Sequence, residues 1–199
     1  MENFHTEYLQ DGDNSTASEK RGSMRRFVLD ILETLVLSLV LFLGINAISA
    51  RIRVESISMR PTLFAGDFII VNKLAYKVGQ PGRGDIIIFH YPPDPNREPY
   101  IKRVIGLPGE TVHVTGGEVY VNDVQLREPY ISAPPSYEGQ WKIPEDSLFV
   151  LGDNRNSSSD SHSWGMVPLG NVIGKAEVVY WPPTEWQVLN QATAAAAGP

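Results

Sequence analysis

From Phe27 to about Ala50 the chain carries an almost unbroken apolar run, with Leu35-Val-Leu-Ser-Leu-Val-Leu-Phe-Leu-Gly-Ile45 at its centre. About 20 apolar residues, each rising ~1.5 Å in a helix, cover the ~30 Å hydrocarbon of a bilayer. The run therefore predicts a transmembrane anchor helix over residues 25–50. A core helix of a soluble domain would not need so uniform a leucine surface. A cleaved secretory signal is the stronger rival, because Ala47-Ile-Ser49 is a small-x-small site after an apolar run. That run begins well inside the chain and is long for such a signal, which favours an uncleaved span. Asp30 and Glu33 lie near one end, where interfacial exposure is tolerable. Lys20, Arg21, Arg25 and Arg26 precede the span, and Arg51, Arg53 and Arg60 follow it. The positive-inside rule favours a cytoplasmic N-terminus by a narrow margin. Residues 1–24 are polar, lack apolar periodicity and read as a disordered cytoplasmic tail.

Beyond the span the pattern changes period. Asp67–Asn72, Asp85–His90, Ser147–Leu151 and Val172–Trp181 are short β-rich runs bounded by turn residues. Thr111 to Asn122 reads as a hairpin with Gly116-Gly117 at its turn, followed at once by a second turn at Asn122-Asp123. No long amphipathic helix is expected after residue 50. Residues 51–186 therefore form one mainly antiparallel β domain, with a Pro- and aromatic-rich loop over 130–146 and a disordered tail over 187–199. The net charge of −6, without a long basic run, argues against nucleic acid as a partner. The absence of cysteine excludes disulfides, thiolate metal sites and a cysteine nucleophile. Its four histidines are scattered without ligand spacing, so no metal site is expected.

Three segments carry candidate chemistry. In Glu55-Ser-Ile-Ser-Met-Arg-Pro-Thr-Leu63, Pro61 restrains the turn that follows Ser56 and Ser58. The alternative is a turn with capping hydroxyls. In Pro99-Tyr-Ile-Lys-Arg-Val-Ile-Gly-Leu-Pro-Gly109, a strand places Lys102 on one face and Ile101 and Arg103 on the other. Burial of that lysine would lower its pKa; a solvated strand lysine is the plainer reading. Leu151 to Gly165 is dense in polar side chains, which is costly to bury unless they bond one another. Here a floppy loop competes with an ordered network.

Together these segments resemble the type I (leader) signal peptidases, a Ser-Lys serine protease family. The matching motifs run in order: a hydrophobic anchor, Ser58-Met-x-Pro-Thr-Leu63, Gly66-Asp67, Arg83-Gly-Asp-Ile86, Tyr100-Ile-Lys-Arg-Val-Ile-Gly-Leu-Pro-Gly109, and Gly152-Asp-Asn-Arg155 with Ser161-His162 beyond. The resemblance implies an antiparallel β-sheet catalytic domain after one transmembrane helix. It implies Ser58 as nucleophile, Lys102 as general base, Ser56 with the Ser58 backbone N–H as oxyanion donors, Ser158 as the serine bonding the lysine, and Asp160 as a bracing carboxylate. Asp153 and Arg155 match the structural part of the same box. The sequence departs at His162, where the family often has arginine. Motif position makes Val54, Met59, Leu63, Tyr100 and Ile101 candidate walls of shallow pockets. Implied partners are signal peptides of exported preproteins, cut after small-x-small sites, with membrane lipid around the anchor and the secretion translocon nearby. The implied location is the plasma membrane, with the catalytic domain on the extracytoplasmic side.

The residue types suit the chemistry. A serine hydroxyl needs an adjacent base, and lysine at its usual pKa of about 10.4 is protonated at neutral pH. A lowering by roughly 2 to 3 units is required, and an apolar, partly water-free site supplies it. Serine–lysine chemistry calls for no cofactor. Rival readings are a related self-cleaving repressor, a catalytically dead β domain that binds exported chains, and a secreted hydrolase released near Ser49. The first would need a DNA-binding domain where the apolar span stands.

Overall fold

The computed structural model describes residues 13–189. The chain divides into two units, Met1–Ala47 and Ile48–Pro199. The first holds all but the last residue of helix α1 (Asp13–Ile48). Its stretch Met24–Ile48, 25 residues with mean hydropathy 2.3, is long and apolar enough to cross a membrane. Thr34 and Ser38 return their hydroxyls to the carbonyls of Asp30 and Thr34, at 2.8 and 2.7 Å. Both polar groups are thus satisfied within the helix, as a membrane span would require. Residues 13–24, expected as disordered tail, are helical. Extending a nucleated helix adds one hydrogen bond per residue fixed, so the apolar span propagates backward through a proline-free stretch. The expected tail over 1–12 lies outside the described residues, as do residues 190–199.

The helix stops at Ile48, two residues before the expected boundary at 50, because the backbone turns there into β1 (Ser49–Arg53). This strand pairs with β2 (Phe68–Asn72) from Ser49↔Asn72 to Arg53↔Phe68. The domain continues through α2 (Ala75–Val78), β3 (Ile86–Phe89), β4 (Tyr100–Gly106), β5 (Thr111–Thr115), β6 (Glu118–Val121) and β7 (Val124–Gln125). After these come β8 (Gly139–Lys142), β9 (Ser147–Leu151), α3 (Ser161–Trp164), β10 (Val167–Pro168), β11 (Val172–Trp181) and β12 (Gln187–Val188). Among the described residues no helix after residue 50 exceeds four residues.

One sheet has the order β1-β2-β11-β3-β4-β9-β10, with β12 on β11; a smaller one has the order β7-β6-β5-β8. Every pairing that defines them is antiparallel, so the fold is mainly β, as expected. The β5–β6 hairpin closes on Gly116 and Gly117 at φ 58° and 82°, and the next turn on Asn122 and Asp123 at φ 48° and 67°. These left-handed values are what two-residue hairpin loops require. Two boundaries differ from expectation. Strand β8 lies inside the expected 130–146 loop, paired to β5 from Thr111↔Lys142 to Val114↔Gly139. The domain also runs past 186, because β12 pairs with β11 and Leu189, at 6% exposure, joins the core.

Strand β4 lies inside the larger sheet, between β3 and β9. Ile87 of β3 lies opposite Lys102, and Leu151 of β9 lies opposite Arg103. Both faces of β4 are covered, so the lysine and the arginine are each buried despite pointing to opposite sides.

Candidate active site

The segment between β1 and β2 is pinned at its base. Val54 N–H donates to Asp67 O and Gly66 N–H to Val54 O, both at 2.8 Å, and the Asp67 carboxylate accepts the Phe64 N–H at 2.8 Å. Within it Leu63 N–H closes a turn on Met59 O at 2.9 Å, and both side chains are buried in a core cluster with Val71, Ile88 and Ala176. That packing holds Ser58 in a turn rather than at a strand end. The loop after β9 ties down the same turn: Asn154 donates its backbone N–H to Ser58 O at 3.0 Å and its side-chain amide to Ile57 O at 3.2 Å.

Ser58 Oγ thereby meets Lys102 Nζ at 2.8 Å. The amine also donates to Ile101 O at 3.0 Å and lies 5.4 Å from the Tyr100 ring centroid. Lys102 is 4% exposed. Burial pulls its pKa down from 10.5 to about 8, against the carboxylates of Asp160 and Asp153, which raise it. The neutral amine can therefore accept the Ser58 proton along the contact that the protonated amine donates through. Ser56 Oγ lies 3.0 Å from Ser58 Oγ. The Ser58 backbone N–H meets no acceptor among the described residues.

Behind the pair stands a buried polar frame. Arg103 Nε and Nη2 grip Asp153 Oδ1 and Oδ2 at 2.8 and 2.6 Å, Nη1 donates to Gly84 O at 2.9 Å, and Thr62 adds its hydroxyl to Asp153. Arg155 grips Glu128 at 2.5 and 2.6 Å, and both guanidinium groups approach the Tyr130 ring, Arg103 at 4.0 Å and Arg155 at 6.0 Å from its centroid. Asp160, fully buried, accepts the Gly152 N–H at 2.9 Å and bonds His162 Nδ1 at 2.6 Å. The histidine thus reaches the buried Asp160 carboxylate directly. Gly152 is required by close approach: a Cβ there would lie 2.4 Å from Ser58 O and 2.3 Å from Ser158 Oγ.

An open groove of about 750 Å³ runs past the pair, and Val54, Ser56, Tyr100 and Ile101 are among its walls. Met59 and Leu63, expected as pocket walls, do not line it; the turn between them commits both to the core, at 1% and 0% exposure. Ser158 differs too. Its Oγ is buried without a hydrogen-bond partner, and Lys102 bonds Ser58 and Ile101 instead. Its hydroxyl packs against Gly152, where only the missing Cβ leaves room. Sequence reasoning did not single out Asn154, Thr62 or Tyr130; for Asn154 the signal was the run of polar side chains directly after the apolar strand β9, and Thr62 and Tyr130 carried no such local signal.

As chemistry, this is the arrangement of a serine hydrolase in which an amine takes the place of histidine. A family model described as signal peptidase, peptidase S26, matches residues 25–181. Signal peptidase I of Leptolyngbya laminosa is 51% identical over 164 residues, covering 78% of this chain and 80% of that protein. The probable signal peptidase I-2 of Synechocystis sp. is 43% identical over 174 residues, covering 84% and 79%. The chloroplastic thylakoidal processing peptidase 1 of Arabidopsis thaliana is 37% identical over 150 residues, covering 70% and 44%. The chain belongs to the signal peptidase family, peptidase S26. It is a serine endopeptidase that removes signal peptides from preproteins.

Proposed function

We propose that Ser58 is the nucleophile and Lys102 the general base of a single-pass membrane peptidase that cuts preproteins after small-x-small sites. The observation that carries this reading is the 2.8 Å contact between Ser58 Oγ and a buried lysine whose pKa is lowered to about 8. In the first half-reaction Lys102 Nζ takes the hydroxyl proton as Ser58 Oγ attacks the scissile carbonyl carbon. Negative charge then develops on the carbonyl oxygen, facing the Ser58 N–H and the Ser56 hydroxyl. The Lys102 ammonium returns the proton to the departing amine, leaving an acyl ester on Ser58. Water, deprotonated by the same amine, releases the signal peptide and restores the hydroxyl. Asp160 supports the pair from the β9 side through its bond to the Gly152 N–H.

Val54, Tyr100 and Ile101 are among the apolar residues lining the groove beside the serine, with Ile52, Ile57 and Pro99. They would limit the substrate to small side chains at the two specificity positions. Helix α1 would anchor the protein in lipid with its N-terminus in the cytoplasm, and the domain would work outside, near the translocon that delivers its substrates. The plasma membrane is the proposed site. In detergent, the full chain should cut a preprotein whose signal ends in Ala-x-Ala once, after the second alanine, and tryptophan at either alanine should stop the cut. Cleavage that ignores those substitutions would contradict the pocket assignment.

Ser56→Ala is expected to lower kcat by roughly 10²- to 10³-fold with KM little changed, because an oxyanion donor acts on charge present only in the transition state. Steady-state kinetics on the same preprotein check this. A change confined to KM would remove Ser56 from that role.

A further inference from the structure

His162 takes no part in the proton transfers between Ser58 and Lys102, yet its ring is fixed on both sides. It stacks on Tyr137 with centroids 3.9 Å apart and planes 8° from parallel. Its Nδ1 lies 2.6 Å from Asp160 Oδ1. An ionised carboxylate only accepts, so Nδ1 carries the hydrogen. Oδ2 of the same carboxylate takes the Gly152 N–H at 2.9 Å, and Gly152 is the residue packed against Ser58 O and Ser158 Oγ. An unbroken chain of contacts thus runs from Tyr137 through His162, Asp160 and Gly152 to the backbone of Ser58.

The charges around this chain differ in how they are matched. Two carboxylates, Asp160 and Asp153, act on the Lys102 amine. Asp153 is neutralised by the bidentate guanidinium of Arg103. Glu128 and Arg155, which also act on Tyr137, neutralise each other. Asp160 instead has the imidazole N–H of His162, the backbone N–H groups of Gly152 and His162, and no guanidinium among these contacts. A strong hydrogen bond at Oδ1 draws carboxylate charge toward that oxygen.

We propose that His162 is a positioning residue that holds Asp160 against Gly152 and moderates the negative field under which Lys102 works. Tyr137 fixes the imidazole plane for that task. This inference rests on the Ser58–Lys102 reading. If it holds, removing the Nδ1–H donor while keeping the stack leaves Lys102 facing a less moderated carboxylate, and the amine keeps its proton to higher pH.

The test is the pH profile of kcat/KM for the full chain in detergent, with His162→Phe, His162→Asn and the parent compared. Phenylalanine keeps the ring on Tyr137 and loses the donor; asparagine places an amide N–H close to where Nδ1 stood. The acid limb of His162→Phe should move upward by about 0.5 to 1 unit, which at pH 7 is a roughly 3- to 10-fold loss of kcat/KM. In His162→Asn the limb should return most of the way to the parent's. The inference is overturned if the parent's limb lies near pH 8 and His162→Phe leaves it in place or moves it downward, or if His162→Asn behaves as His162→Phe does. A parent limb far from pH 8 would instead contradict the Ser58–Lys102 reading itself.

Discussion

Replacing Lys102 with methionine is expected to abolish turnover, by on the order of 10⁴-fold or more, while making the domain harder to unfold at pH 7. The loss follows from the 2.8 Å contact with Ser58 Oγ: without the amine nothing at that position takes the serine proton. Ser58→Ala should cost about as much. The double variant should be no worse than either single one, because the two residues act as a unit. The gain in stability follows from the pKa. Lys102 in the unfolded chain holds its proton up to about pH 10.5, whereas the folded protein releases it near 8. Between those values the unfolded chain holds more proton, so stability rises with pH. Below pH 8 the full penalty of a buried ammonium applies, about 3 kcal/mol as an order of magnitude. Methionine removes that penalty and fills similar space. Denaturant midpoints of parent and Lys102→Met at pH 7 measure it. A variant that is inactive but less stable would mean that burial of the amine does not strain this fold.

Asp153→Ala should have the largest effect on stability, about 3 to 5 kcal/mol, and should lower activity with it. Asp153 is fully buried, Arg103 is 1% exposed, and the two share a bidentate contact. Removing the carboxylate strands a guanidinium that cannot lose its charge. Against a total of about 5 to 15 kcal/mol for a domain, that is a large share. The combined variant Asp153→Leu with Arg103→Met should recover much of the loss, since a buried ion pair replaced by apolar groups of similar volume is often neutral. Urea midpoints of the single and the combined variants separate the stranded charge from the loss of packing. Equal destabilisation in both would assign the effect to packing alone.

How far the sequence revealed the site depended on which forces did the positioning. Hairpins at Gly116-Gly117 and Asn122-Asp123 were legible because left-handed turn residues are a local signal. Strands β2 and β9 were legible from short apolar runs. The Gly139–Lys142 strand was not, because Gly-Gln-Trp-Lys has little alternation of its own and is ordered by pairing with β5. Helix α1 starts earlier than the apolar pattern indicates, since cooperativity carries it beyond its apolar stretch. Motif order brought Ser58 and Lys102 to notice, but not which neighbours face the groove. Met59 and Leu63 sit one and five residues beyond the serine, and a single closed turn decides that they pack inward. The Asp160–His162 contact was equally out of reach, because histidine makes it with a geometry that charge counting does not foresee.

Whether a lysine with a lowered pKa deprotonates Ser58 is tested most directly by the pH profile of kcat/KM. A base must be unprotonated to act, so activity should rise with pH through an apparent pKa near 8, the value to which burial brings Lys102. An acid limb near about pH 4, in the carboxylate range, would contradict lysine as the base and point to an acidic one such as Asp160.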